Sequence, residues 1–200
     1  MYARKSIMKK SRDDHPVLEC RLCRRSFLKA GALVLGGCLF PQTVFSAVDG
    51  ATAVERSLSL YNMHTGESLR AVYWFKGGYL AEALVDINKI LRDYRTDEIA
   101  PIDTKLLDLI HTIHQRMGSH DMVHIISGYR SPATNERLRG NGRGVAKNSL
   151  HREGKAADIR LPDQSLSELR STAVSMQRGG VGYYPSSNFV HVDVGRVRYW

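Results

Sequence analysis

His151 and Asp158 stand seven residues apart with Gly154 between them, and one helix cannot bring them to a common point. On a helix they would lie two turns, ~10 Å, apart, too far to share a metal whose bonds are ~2 Å long. The chain must instead bend, and Gly154 is the residue type that allows a sharp reversal. Ala156 and Asp158 then leave one face of a following strand, while Ala157 and Ile159 leave the other. Residues 189–194 read Phe-Val-His-Val-Asp-Val, a strict alternation that sends Phe189, His191 and Asp193 one way and three valines the other. Two imidazoles and a carboxylate are thereby offered as a donor set suited to a divalent zinc with a fourth position left for water. Zinc lowers the pKa of such a water toward ~7, which implies hydrolytic chemistry.

The rest of the chain supports a mixed architecture. Leu58–Tyr61 and Leu69–Phe75 read as strands of a hairpin turning at His64-Thr65-Gly66-Glu67. Leu80, Leu84, Ile87 and Leu91 have helical spacing, which predicts a helix over Tyr79–Arg95. A second helix starts near Pro101 and Asp103, with Leu106, Leu107, Ile110, Ile113 and Met117 as its apolar stripe. Val123–Ser127 reads as a strand, Pro132–Arg139 as a helix and Asn141–Gly144 as a loop. Ala156–Leu161 is a strand, and Ser165 with Glu168 forms a capping box for a helix to about Gln177. Three closely spaced strands follow, over Val181–Tyr184, Phe189–Val194 and Val197–Trp200. Helices and strands do not alternate strictly, so the expected fold class is α+β, a small mainly antiparallel sheet with helices packed on it.

The first 46 residues are a separate unit. Arg24-Arg25-Ser26-Phe27-Leu28-Lys29 precedes an apolar, glycine-interrupted run over Ala30–Phe40. That run is about half the length needed to cross a ~30 Å hydrocarbon core as a helix, so no stable membrane span is expected in the mature form. A twin arginine before such a run predicts a Tat-type signal peptide over 1–46, the Tat export machinery as a partner and a periplasmic destination. Cleavage is expected after Ser46 or Ala47, with lipid attachment at Cys38 as the competing reading. Residues 47–56 are then a flexible lead-in and 57–200 the domain. The leader holds nine Lys/Arg against three Asp/Glu, so +6 of the chain's +9 net charge belongs to it. Nucleic-acid binding loses its electrostatic support accordingly. All three cysteines (Cys20, Cys23, Cys38) precede residue 47, so no disulfide can staple the domain.

The motifs also carry a resemblance. Ser149-x-His151-x-x-Gly154-x-Ala156-x-Asp158, followed by Val190-His191-Val192-Asp193 and preceded by Ser127-Gly128-Tyr129-Arg130-Ser131-Pro132 with Asn135, is similar to the zinc D-Ala-D-Ala peptidases of the VanX/VanY type. The hedgehog signalling domain shares that fold and zinc site. Met63-His64-Thr65-Gly66-Glu67 and the closing Val194–Trp200 stretch look like the murein endopeptidase K branch. The resemblance implies a zinc metallopeptidase acting on the stem peptides of peptidoglycan, or a non-catalytic zinc-stabilised module on the same fold. It implies His151, Asp158 and His191 as the zinc ligands and Arg130 as the residue that steadies the substrate carbonyl or oxyanion. Many relatives carry Glu-x-x-His or His-x-His before the last ligand, whereas this chain has Asn188 and Phe189 there, neither of which takes a proton from water. Asp193 is therefore the expected general base, with ligand-orienting partner and fourth ligand as its alternatives. His111 and His114 lack an evident third donor and, like His64, His120 and His124, read as solvated or partly buried histidines.

Overall fold

The computed structural model describes residues 17–19, 55–140 and 146–200. The twin arginine, the three cysteines, the lead-in up to residue 54 and the Asn141–Gly144 loop with its neighbour Val145 lie outside the described residues. In chain order the strands are β1 (Val17–Glu19), β2 (Glu55–Asn62), β3 (Ser68–Phe75), β4 (Gly78–Tyr79), β5 (Val123–Ser127), β6 (Ala156–Arg160), β7 (Gly180–Tyr184), β8 (Phe189–Asp193) and β9 (Arg198–Tyr199). The helices are α1 (Ala81–Ile90), α2 (Thr104–Met117), α3 (Pro132–Gly140) and α4 (Leu166–Ser175). They form one mixed sheet in the order β1-β3-β2-β5-β6-β8-β7-β9, with β4 paired to β3. Neighbours are antiparallel except at β1/β3, β2/β5 and β7/β9. The expected α+β class, with helices on a mostly antiparallel sheet, is the fold observed.

Local chemistry accounts for the element ends. Asp103 caps α2 by accepting from the Lys105 N–H, and Gly118 closes it in the left-handed conformation. Ser165 accepts from the Glu168 N–H while its hydroxyl donates to the Glu168 carboxylate, so the two residues expected as a capping box do close the start of α4, through the hydroxyl. The helix α1 is shorter at both ends than its apolar spacing predicts. Tyr79 is drawn into β4 opposite Trp74, and the chain turns at Asp93, whose carboxylate accepts the N–H groups of Arg95 and Ser131.

One face of the central strands is apolar and holds the helices. Leu60, Val123, Ile125, Ala157, Ile159 and Val192 are fully or almost fully buried in a core shared with Ile87 of α1, Leu106 and Ile110 of α2 and Leu169 of α4. Residues that alternate with these point the other way. Register then aligns them across the sheet: Ser127 of β5 faces Asp158 of β6, Asp158 faces His191 of β8, and His191 faces Gly182 of β7. An irregularity between Ile125 and Ser127 re-aims β5 at this row.

Candidate metal centre

The bend between the two halves of the Ser149–Asp158 motif is a single 3-10 turn, Leu150–Glu153, closed by Gly154 at φ +65°. A side chain at Gly154 would run into the Pro101 carbonyl, and the Gly154 carbonyl accepts the Asp103 N–H. The turn is thus clamped to the start of α2, and it delivers His151 onto β6 above Asp158.

Three side-chain atoms converge there. His151 Nε2 lies 3.1 Å from His191 Nδ1 and 3.3 Å from Asp158 Oδ1, and His191 Nδ1 lies 2.9 Å from the same oxygen. All three residues are buried, and among the described residues they form a cluster with metal-binding geometry. The triangle they make fits a metal. The edge of a tetrahedron with bonds of 2.0–2.1 Å is about 3.3 Å.

The outer nitrogens decide what the inner ones carry. His151 Nδ1 lies 2.8 Å from the Gly128 carbonyl, which can only accept, so the ring proton sits on Nδ1. His191 Nε2 lies 3.0 Å from Asp193 Oδ2. Asp193 is ionised: burial opposes its charge, but hydrogen bonds from His191, Arg198, Gly180 and Gly195 hold it well below the usual carboxylate range. Its carboxylate therefore accepts a hydrogen bond from the His191 Nε2–H. The inward nitrogens of both rings face the Asp158 carboxylate, which His151 and His191 hold below the usual carboxylate range against its burial. Burial alone lowers both histidines; it prevails at His151, while Asp158 and Asp193 outweigh it at His191 and raise that ring. Once a cation displaces the proton that Asp158 favours on His191 Nδ1, two inward ring nitrogens and a carboxylate oxygen form a donor set that suits zinc.

The expected site residues fall in two positions relative to this cluster. Arg130 is brought to it: its guanidinium lies 3.5 Å from Asp158 Oδ2 and 3.5 Å from the Ser127 hydroxyl. That guanidinium is buried, burial lowers its pKa, and its Nε has no hydrogen-bond partner among the described residues. Its segment is pinned by the Tyr129 N–H on the Leu91 carbonyl, the Arg130 N–H on the His151 carbonyl and the Ser131 N–H on Asp93. Asp193 stands behind His191, on the ring nitrogen that points away from the three converging atoms. It is 0% exposed, and both its oxygens are occupied by the Gly180 and Gly195 N–H groups and a two-pronged contact from Arg198 at 2.7 and 3.1 Å.

Sequence reasoning missed Arg198 and the Gly128 carbonyl. A signal for Arg198 was present. Gly180 and Gly182 share a face of β7, and two same-face glycines leave room for side chains of the next strand to cross over them. Arg198 crosses over Gly180, and Trp200 over Gly182. Ser149 contributes its carbonyl to the turn, accepting the Arg152 N–H, and no side-chain cap. His111 and His114 bond the carbonyls of Ser57 and Asp121 and are not among the converging residues.

A mostly antiparallel open sheet that gathers a buried His-Asp-His set beside an arginine defines a metallopeptidase of the M15 type. The family model Peptidase_M15_2, described as Peptidoglycan L,D-endopeptidase MepK, matches residues 50–200, and the chain belongs to that family. It is 44% identical over 177 residues to the peptidoglycan L,D-endopeptidase MepK of Escherichia coli (strain K12), spanning 88% of this chain and 96% of that protein. To the probable peptidoglycan L,D-endopeptidase MepK of Haemophilus influenzae it is 38% identical over 178 residues, spanning 88% of this chain and 95% of the relative.

Proposed function

We propose that this protein is a zinc-dependent endopeptidase that hydrolyses peptide cross-links of peptidoglycan in the cell envelope. The observation that carries the reading is the convergence of His151 Nε2, His191 Nδ1 and Asp158 Oδ1, with the outward nitrogens of both histidines committed to Gly128 and Asp193. The substrate class follows from family membership and from the names of the relatives. His151, Asp158 and His191 would hold the ion, which would supply Lewis-acid polarisation of a peptide carbonyl and an activated water at neutral pH. Arg130, buried and short of partners, offers its forked donors to the carbonyl oxygen as charge develops on it. Asp193 acts as the orienting partner of His191 and not as the proton acceptor, because its oxygens are saturated and face away from the cluster.

The leader belongs to the same proposal. Residues 1–46, β1 among them, act as a Tat-type signal and residues 47–56 as a lead-in whose last two residues, Glu55 and Arg56, open β2. The periplasm is then the working compartment. No helix among the described residues is long and apolar enough to cross a membrane.

The deciding experiment pairs metal analysis with turnover. Purified protein should carry about one zinc per chain and cleave cross-linked muropeptides, with activity lost to a chelator and restored by zinc. Stoichiometric zinc without any cleavage would make the protein a binding module.

A further inference from the structure

Trp200 lies on the opposite side of His191 from Arg130. Across the sheet the residues run Ser127, Asp158, His191, Gly182, with Arg130 against Ser127 and Asp158 at one end. At the other end the Trp200 indole covers Gly182, where a Cβ would come within 2.7–2.8 Å of its ring atoms. Its centroid is 5.3 Å from that of His191.

This indole is held in place without being enclosed. Its Nε1 donates to the Tyr184 hydroxyl at 2.7 Å, and the Arg198 guanidinium lies 5.0 Å from the ring centroid. Tyr184 stacks in turn on Phe189 at 4.6 Å. Yet Trp200 is 47% and Tyr184 38% exposed. A pair of large aromatics, immobilised beside a metal ligand and half open, presents contact area at little cost in side-chain entropy. The cluster is polar on the Arg130 side and aromatic on this one, so a bound peptide meets the two ends differently.

We propose that Trp200, braced by Tyr184, is a substrate-positioning residue. It receives the aliphatic part of the stem peptide on the side of the scissile bond remote from Arg130. The aliphatic chain of a cross-linking diamino acid has the chemistry to lie on an indole face, and Arg198 already supplies the cation near this ring. The proposal rests on the peptidase reading above.

Steady-state kinetics on a purified cross-linked muropeptide, with zinc measured in every variant, test it. Trp200→Ala should raise KM by about tenfold, the effect of losing one good aromatic contact, with kcat and zinc content close to wild type. Gly182→Ala keeps the tryptophan but displaces the indole, and should raise KM in the same direction. In a Trp74→Phe background Trp200 is the remaining tryptophan of the chain, and its emission should change saturably on titration with an uncross-linked stem peptide. Unchanged KM in Trp200→Ala, emission indifferent to the peptide, or loss of zinc with the indole would each overturn the assignment. Wild-type protein that cleaves no cross-linked muropeptide would overturn the peptidase reading itself, whatever the variants do.

Discussion

His191 is gripped by a carboxylate on each ring nitrogen, Asp158 on Nδ1 and Asp193 on Nε2, and this fixes the angle of its ring. Arg198 holds Asp193 in turn, so the chain of contacts runs from β9 to the inward nitrogen. Removing such outer partners typically costs about 10–100-fold in metal affinity. Asp193→Asn and Arg198→Met should therefore weaken zinc binding by that order in a chelator competition. His151→Ala, which removes a donor outright, should abolish stoichiometric zinc. Retention of wild-type affinity in Asp193→Asn, together with lost turnover, would restore Asp193 as the proton acceptor. Arg130 is tested separately. Arg130→Ala should keep its zinc and lose about 10²–10³-fold in kcat, the usual cost of one oxyanion donor.

The segment between β5 and α3 shows how an element end becomes a functional part. Backbone contacts hold Tyr129 and Arg130, and the buried Asp93 carboxylate holds Ser131. Burial opposes the charge on Asp93, but hydrogen bonds, the Arg95 and Ser131 N–H groups among them, outweigh it and hold its pKa below the ordinary carboxylate value. A depressed folded pKa stabilises above the unfolded value, ~3.9, and that contribution is lost as pH falls through the folded one. Asp93→Asn should thus destabilise the domain by about 1–3 kcal/mol at neutral pH. The difference from wild type should shrink below about pH 4 in denaturant titrations. It should also lower turnover, because Ser131 follows Arg130 directly. Equal midpoints at pH 7 would mean that the backbone contacts alone hold the segment.

At the scale of the whole molecule, the proposed zinc would be linked to the fold. The cluster ties the 3-10 turn, β6 and β8 together, and no cysteine lies in the described residues to tie them otherwise. A ligand that binds only the folded chain at a thousand times its Kd adds about 4 kcal/mol. Chelation should lower the melting temperature and zinc restore it, read by thermal unfolding. Export belongs to this scale as well. Replacing Arg24 and Arg25 with lysine should stop periplasmic accumulation in fractionated cells. Unchanged accumulation would mean a different route.

Much of this molecule was legible along the chain because local rules govern it. The seven-residue spacing around Gly154 excluded a helix, the alternation of residues 189–194 separated core valines from donor residues, and the capping box announced α4. The donors themselves were legible because their residue types suit one chemistry. The surroundings of Asp193 were not. Two residues beyond His191 on the same strand face, it was equally placed for proton transfer, ligand support or ligation. Spacing said nothing of Arg198, Gly180 and Gly195 closing around it. The order of strands decided that, since β9 adds beside β7 and not beside β8, and its side chains must cross two glycines to reach the site. Periodicity reports which way a side chain faces. Which partners meet it there is settled by cross-strand register, and register exists only in the folded sheet.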